Sequence, residues 1–305
     1  MKKLLVAYAV IFSVVLSAVS KGDDRMVLIP AGVLRGVDPD FGEVCLTNSR
    51  AFLMDKTVVT EALWIDVFFD TCETVGVRFL EEGSYGVCPH EARNRPMVAV
   101  SFYNAAIWCN ARSILEGLTP CYLNQEKLPY SGRDGKKGLK YCDFEATGYR
   151  LPTSSEWEYA ARAGECTRFP WGDTICFTNA NYTGSKENSW DLSGGGLHPV
   201  YSKGVNVKAL EQGTSPVMSF PPNKFGLYDM IGNVAEWCWP DNKTEVEFTR
   251  YSRFILRGGS WRTTPKYLRT GGEYVAHDPW CGVEMVGYWK LLASGFRCVR
   301  RAADE

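Results

Sequence analysis

Arg257-Gly258-Gly259-Ser260-Trp261 is the stretch from which the fold of this chain can be read. Two successive glycines permit tight or positive-φ backbone, and they sit between an arginine and a tryptophan that are both expected to turn inward. Upstream stand Phe225-Gly226-Leu227-Tyr228-Asp229-Met230 and Gly232-Asn233-Val234-Ala235-Glu236-Trp237; downstream, Gly295-Phe296-Arg297 again sets a glycine before an aromatic and an arginine. Inward arginines need acceptors. Glu158 and Glu236 are the carboxylates expected to receive Arg150, Arg257 and Arg297 beneath aromatic planes.

Three helices precede this region. The first starts at Thr60, a plausible N-cap with Glu61 favourable in the first turn, and puts Leu63, Trp64, Val67 and Phe68 on one face. The second begins near Ser101, gathers Ala105, Trp108, Ala111, Ile114 and Leu115 on one side, and stops at Gly117. The third opens with Thr153 and Glu156 as a capping box after Pro152, and buries Trp157, Ala160 and Ala161. These aromatic stripes read as core. Met26 to Ile29, closed by Pro30 and Gly32, reads as an opening strand. Long polar stretches lie between, at Glu81 to Arg95, Asn124 to Lys140 and Thr183 to Gly213. Connections of that length need holding, and disulfides or bound cations are the usual means. The expected architecture is one loop-rich α+β domain over residues 21–305, with regular structure in the minority.

Composition narrows the function. A net charge of −1 with no basic stripe gives no reason to expect nucleic acid or an anionic membrane surface as partner. Eleven cysteines are many for a reducing cytosol and ordinary for an exported chain. Their count is odd, none is spaced Cys-x-x-Cys, and only His90, His198 and His277 accompany them, so a zinc or iron site is not expected. Lys2 and Lys3, the apolar run Leu4 to Val19 and the small-residue pattern Ala18-Val19-Ser20 read as a cleavable signal over residues 1–20. That places the chain at the cell surface, facing the periplasm or outside the cell. A retained anchor is the alternative and the one route to a membrane; no cysteine lies within residues 17–24 to carry a lipid.

Further segments join the series: Met26 to Gly32, Arg95-Pro96-Met97-Val98, Tyr149-Arg150-Leu151-Pro152-Thr153, Glu156-Trp157-Glu158, Phe169-Pro170-Trp171-Gly172-Asp173 and Ala180-Asn181-Tyr182. In this order, over nearly the whole mature chain, they resemble the formylglycine-generating-enzyme, or sulfatase-modifying-factor, family. The resemblance implies a C-type-lectin-like fold with little regular secondary structure. Catalytic members carry one cysteine two residues past the aromatic at Trp261 and a second five residues further on. Thr263 and Leu268 stand there, and neither supplies the soft sulfur that copper-thiolate chemistry needs. No redox cofactor and no formylglycine generation are therefore expected, and the histidine-rich iron site of the related sulfoxide synthases has no counterpart. The resemblance also implies a structural calcium ion on the carbonyls of Gly232 and Val234 and the carboxylate of Glu236, all hard oxygen donors. Asn181 and Tyr182 match part of a second calcium site, with Asp191 as a candidate partner at an unmatched spacing. The alternative is that Glu236 pairs with an arginine and Asn233 caps a turn.

From Arg262 to Ser294 the family's pattern breaks down while its flanks persist. The insert mixes Tyr267, Tyr274, His277, Trp280, Tyr288 and Trp289 with Gly271, Gly272, Gly282 and Gly287, a chemistry shared with antibody paratopes. It resembles the variable proteins of diversity-generating retroelements, whose altered codons cannot yield Trp, Lys, Glu, Met or Gln. That resemblance implies fixed scaffold at Lys266, Glu273, Trp280, Glu284, Met285, Trp289 and Lys290. It implies ligand contacts at Thr263, Thr264, Tyr267, Tyr274, His277, Asp278, Gly282, Val286, Gly287, Tyr288, Leu291 and Leu292. The expected partner is a protein surface. The alternative is a module of fixed sequence whose insert merely packs, structural or residually an oxidoreductase. Cys281 and Cys298 are expected to be buried or disulfide-bonded.

Overall fold

Capping residues start the helices where the sequence places them. The computed structural model describes residues 23–74, 78–79, 93–202, 213–247, 254–276 and 293–302; the expected signal segment lies outside them. Helix α1 spans Glu61–Thr74, α2 Phe102–Leu115 and α3 Ser154–Arg162. The Thr60 hydroxyl accepts the Leu63 N–H at 3.3 Å, and Ser101 accepts that of Asn104 at 3.1 Å. At α3 both halves of the capping box close: Glu156 N–H donates to Thr153 Oγ1 at 3.1 Å, and Thr153 N–H to Glu156 Oε2 at 2.8 Å. Among the described residues no helix is long and apolar enough to cross a membrane.

The strands are short, as a loop-rich fold requires. They are β1 (Met26–Ile29), β2 (Gly32–Asp38), β3 (Gly42–Asn48), β4 (Phe52–Asp55), β5 (Tyr122–Leu123), β6 (Tyr141–Cys142), β7 (Thr183–Gly184), β8 (Gly196–Leu197), β9 (Ala235–Cys238), β10 (Phe254–Arg257), β11 (Glu273–Ala276), β12 (Ser294–Gly295) and β13 (Val299–Arg301). A three-stranded sheet runs β1-β4-β13 and a four-stranded one β11-β10-β9-β12; β2-β3, β5-β6 and β7-β8 are separate hairpins. Every pairing is antiparallel except β12 on β9.

Aromatic rings fill the space between these elements. Trp64 of α1 and Trp108 of α2 stack at 6.1 Å, and Phe296 meets both edge-on at 6.2 and 5.4 Å. The indole N–H of Trp237 donates to Val100 O at 2.7 Å, so its burial leaves no orphaned donor. Charge is buried as well. Arg297 grips Glu236 with Nε on Oε2 at 2.7 Å and Nη2 on Oε1 at 2.8 Å, both side chains essentially without exposed surface. The same guanidinium donates to the carbonyls of Asp55, Lys56 and Tyr228, which ties the end of β4 to β9.

Two of the three expected arginine pairings hold. Arg257 reaches Glu158 at 3.0 Å and Arg297 takes Glu236. Arg150 instead pairs with Glu156 at 2.6 and 2.7 Å, so one carboxylate serves both the helix cap and a buried guanidinium. Side chains hold the described parts of the long connections. Within Asn124 to Lys140, Asn124 Oδ1 accepts the amides of Glu126 and Leu128. Within Thr183 to Gly213, Asp191 accepts Tyr182 Oη, Ser185 N and Ser193 N at 2.6–3.0 Å. Short polar side chains bonded to backbone brace these parts of the loops; residues 203–212 lie outside the described residues. Most of Glu81 to Arg95 lies outside the described residues.

Glu236→Gln would leave Arg297 charged and buried without its counter-ion. The variant is expected to lose about 3 kcal/mol of unfolding free energy in urea titration; an unchanged midpoint would show that the pair is dispensable.

Candidate functional site

β10 and β11 pair antiparallel, with Arg257 opposite Glu273 and Leu256 opposite Tyr274, and the chain between them forms one end of the four-stranded sheet. Gly258 and Gly259 take φ of +77° and +66°. At Gly259 the constraint is double, because a Cβ would lie 2.5 Å from Leu268 Cδ2 and 3.2 Å from Thr263 Cγ2. Thr263 is buried; its hydroxyl accepts Ser260 N–H at 3.0 Å and its carbonyl accepts Thr183 N–H at 3.1 Å. Leu268 has no exposed surface and packs in an apolar cluster with Phe169, Ile175, Ala180, Tyr182 and Ile231. The two positions that the resemblance assigns to catalytic sulfur thus hold a satisfied hydroxyl and an apolar plug.

The surface next to them is aromatic. Tyr267 is 46% exposed, beside a half-buried Tyr274 at 6.1 Å between ring centroids; Tyr274 Oη donates to Tyr267 O, and the Lys266 ammonium lies over the Tyr267 ring. Thr264 is half-buried and stands at the head of a 3-10 turn over Pro265–Tyr267. Of the expected ligand-contacting residues, Thr264, Tyr267 and Tyr274 share this surface. Thr263 does not; its side chain is spent on Ser260. His277, Asp278, Gly282, Val286, Gly287, Tyr288, Leu291 and Leu292 lie outside the described residues, as does Cys281.

One contributor escaped the sequence reading. The tip of the β2-β3 hairpin abuts this face: Arg269 sits over the Phe41 ring at 4.5 Å and reaches Asp40 at 3.3 Å, while Asp40 also pairs with Arg168 at 2.9 Å. A Cβ on Gly271 would fall 2.7 Å from Phe41 Cδ2, so that glycine is what lets the ring seat. Phe41 remains 46% exposed and extends the aromatic surface. The available signal was Asp38, whose Oδ1 accepts the amides of Asp40 and Phe41 and thereby fixes a tight turn.

Comparison with known proteins bears on this geometry. Residues 13–302 match the model of the sulfatase-modifying factor enzyme 1-like domain. The chain belongs to the sulfatase-modifying factor family. A chaperone protein LppX of Paenibacillus barcinonensis is 32% identical over 248 residues, 78% of this chain and 79% of that one. The formylglycine-generating enzyme of Mus musculus is 32% identical over 270 residues, 84% of this chain and 68% of that one. The solved structure of Treponema denticola variable protein 1 superposes with a TM-score of 0.59 at 24% identity, covering 91% of this chain and 95% of the other. The C-type-lectin-like α+β fold expected from the sequence is the fold observed.

The one carboxylate of the expected calcium set also has protein partners. Glu236 Oε2 accepts from Arg297 and from the Trp157 indole at 2.9 Å, and Oε1 accepts from Arg297, so the one carboxylate in the set is neutralised by a guanidinium. Gly232 serves close packing: a Cβ there would meet Asn181 O at 2.4 Å. Asn233, expected under the alternative to cap a turn, binds Ser215 through both side-chain atoms. The residues matching part of a second site also have protein partners, and residues 203–212 lie outside the described residues. Asn181 bonds Gly213 and Ser202, and Asp191 is committed to the hydrogen bonds that brace its loop. Among the described residues no group of three or more His, Cys, Asp or Glu is placed to hold a metal ion.

Among the described residues, Asp55 and Asp229 each have a buried carboxylate oxygen without a hydrogen bond, and Asp229 is the one near Glu236. Its Oδ2 accepts Met218 N–H at 2.9 Å while Oδ1 is buried without a hydrogen bond. Burial, reinforced by the charge on Glu236, pushes its carboxyl up to about 6, against the pull of the Met218 amide and Arg297. The folded state therefore prefers the neutral acid. That preference is fully in force below the unfolded value near 3.8 and fades as pH rises through 6. Asp229→Asn keeps the positive φ of 55° that asparagine tolerates. In chelator-treated buffer it should be more stable than the parent by about 2–3 kcal/mol at pH 7.5, with the gap closing near pH 4. Equal melting temperatures across that range would contradict the assignment.

Proposed function

We propose that this protein is an exported, non-catalytic ligand-binding member of the family, whose segment 262–294 displays the binding face. The observation that carries the reading is the contrast between neighbours: Leu268 is wholly buried in an apolar cluster, while Tyr267 stands 46% exposed beside it. A position that sulfur chemistry needs accessible is plugged, and the adjacent turn presents an aromatic to solvent. Tyrosine gives large contact area with few rotors to freeze, the usual requirement for recognising a protein surface. The names of two similar proteins support the direction, one a chaperone and one a variable protein. Diversification of the segment by a retroelement is part of the proposal, as is the absence of a redox cofactor and of nucleic-acid partners.

The encoding DNA tests diversification. A near-copy of the last segment beside a reverse-transcriptase gene, differing only at adenines, is the expected finding; a genome without one removes that half of the proposal. The binding half is tested with a displayed library of protein ligands selected against the full chain. Tyr267→Ala should weaken the selected binders tenfold or more, which is about 1.4 kcal/mol or above, with little change in melting temperature; Tyr274→Ala should weaken them as much but also lower the melting temperature, because its ring packs against the core. Binders indifferent to both changes would place the face elsewhere. For the enzymatic alternative, oxygen uptake with copper and a cysteine-containing peptide should stay at background; turnover would overturn the non-catalytic reading.

A further inference from the structure

A cleft opens where β1 begins and β4 ends. Its volume is about 280 Å³, and its walls come from Asp24 and Arg25 ahead of β1, the chain leaving β4, the first two turns of α1, and Met218. No described residue of segment 262–294 lines it. Backbone bonds fix the frame: Lys56 N–H donates to Arg25 O, Tyr228 N–H to Lys56 O and Val59 N–H to Phe296 O, each at 2.8 Å. Met218 is held on the rim by its N–H to Asp229 Oδ2 at 2.9 Å, and its side chain stays 48% exposed. The lining is mixed. Val58, Leu63 and Met218 give an apolar side, Asp24 and Asp66 bring two carboxylates, and Arg25 and Lys56 bring two cations. Among the described residues, none of these four charged side chains meets an ion-pair or hydrogen-bond partner. A further carboxylate, Asp55, is already neutralised in the core by Arg112 at 2.8 Å.

The two cations are set against each other. The pairing of β1 with β4 puts Met26 opposite Asp55, and the bond from Lys56 N–H to Arg25 O carries the ladder one step further, so that Arg25 stands opposite Lys56. Like charges facing each other across an antiparallel pair are destabilising. An anion between them removes that cost, and a carboxylate matches the planar guanidinium fork. The remaining charges in the cleft, Asp24 and Asp66, call for a cation. We propose that the cleft binds a small zwitterion, a free α-amino acid with an apolar side chain. Its carboxylate lies between Arg25 and Lys56, its ammonium faces Asp24 and Asp66, and its side chain rests against Val58, Leu63 and Met218. The size agrees, since a cleft of 280 Å³ falls just below the range of about 300–1,000 Å³ that holds drug-sized ligands. So does the charge: two uncommitted carboxylates and two uncommitted cations match a ligand of no net charge, whereas a simple anion would leave the carboxylates unanswered.

Isothermal titration of the full chain with leucine, methionine and phenylalanine tests this. The tightest of them is then compared with two probes that each lack one charge, its methyl ester and its deaminated acid. At least one amino acid should bind saturably, and each singly charged probe should bind at least about tenfold more weakly. Lys56→Met and Asp66→Asn should each weaken the amino acid by a similar factor. Asp66 is exposed and bonded to nothing through its side chain, so Asp66→Asn should melt with the parent and keeps the test decisive if Lys56→Met does not fold. No saturable binding by any of the three up to about 10 mM, binding that the folded variants leave unchanged, or equal binding of either singly charged probe would overturn the proposal. The aromatic face is assayed separately through Tyr267 and Tyr274, so neither result decides the other.

Discussion

Arg297 and Glu236 hold the two sheets to each other. A bidentate guanidinium–carboxylate pair in a dry core is costly to desolvate, and it persists only if the remaining donors and acceptors are satisfied. Here they are: the Trp157 indole tops the carboxylate, and the carbonyls of Asp55, Lys56 and Tyr228 take the rest of the guanidinium. The strand pairing follows from it. Gly295 can lie parallel against Glu236 because residues 295–297 are drawn in by the arginine, and Arg257 on the opposite side of β9 is drawn in by Glu158 on α3. The short strands, with little ladder of their own, depend on these side-chain ties.

This explains why the framework was legible in the sequence. Gly258-Gly259, Gly295-Phe296-Arg297 and the Thr153–Glu156 capping box each carry a local physical requirement that a sequence displays openly: positive φ, an inward ion, two unsatisfied amides. The helices began where the caps indicated, and the second ended just before the Gly117 expected to stop it. Partner choice was less legible. Arg150 took Glu156 over Glu158 because the capping carboxylate already pointed back along the chain, and nothing in spacing distinguishes glutamates two residues apart on one helix.

The proposed binding face was only partly readable. Thr263 and Leu268 are plain in the sequence, but the burial of Leu268 among Phe169, Tyr182 and Ile231 needs three-dimensional contacts. The presence of Phe41 on that face was invisible for the same reason, since it comes from a hairpin far away in sequence. The partner of Glu236 was not legible for a similar reason: a Glu beside Gly and Val carbonyls suits a cation and a guanidinium equally well, and that Arg297 reaches it is seen only in three dimensions.

The apolar plug at Leu268 has an evolutionary consequence. Its methyl groups fill the room that the missing Cβ of Gly259 leaves, so the loop's path and the leucine have become mutually dependent. Trading that leucine for a thiol would open a void in the cluster as well as restore a sulfur, and the smaller side chain would forfeit packing worth about 1–2 kcal/mol. The leucine is held as by a ratchet: replacing it demands repacking of several neighbours at once, while change at the exposed Tyr267 next door disturbs little of the framework.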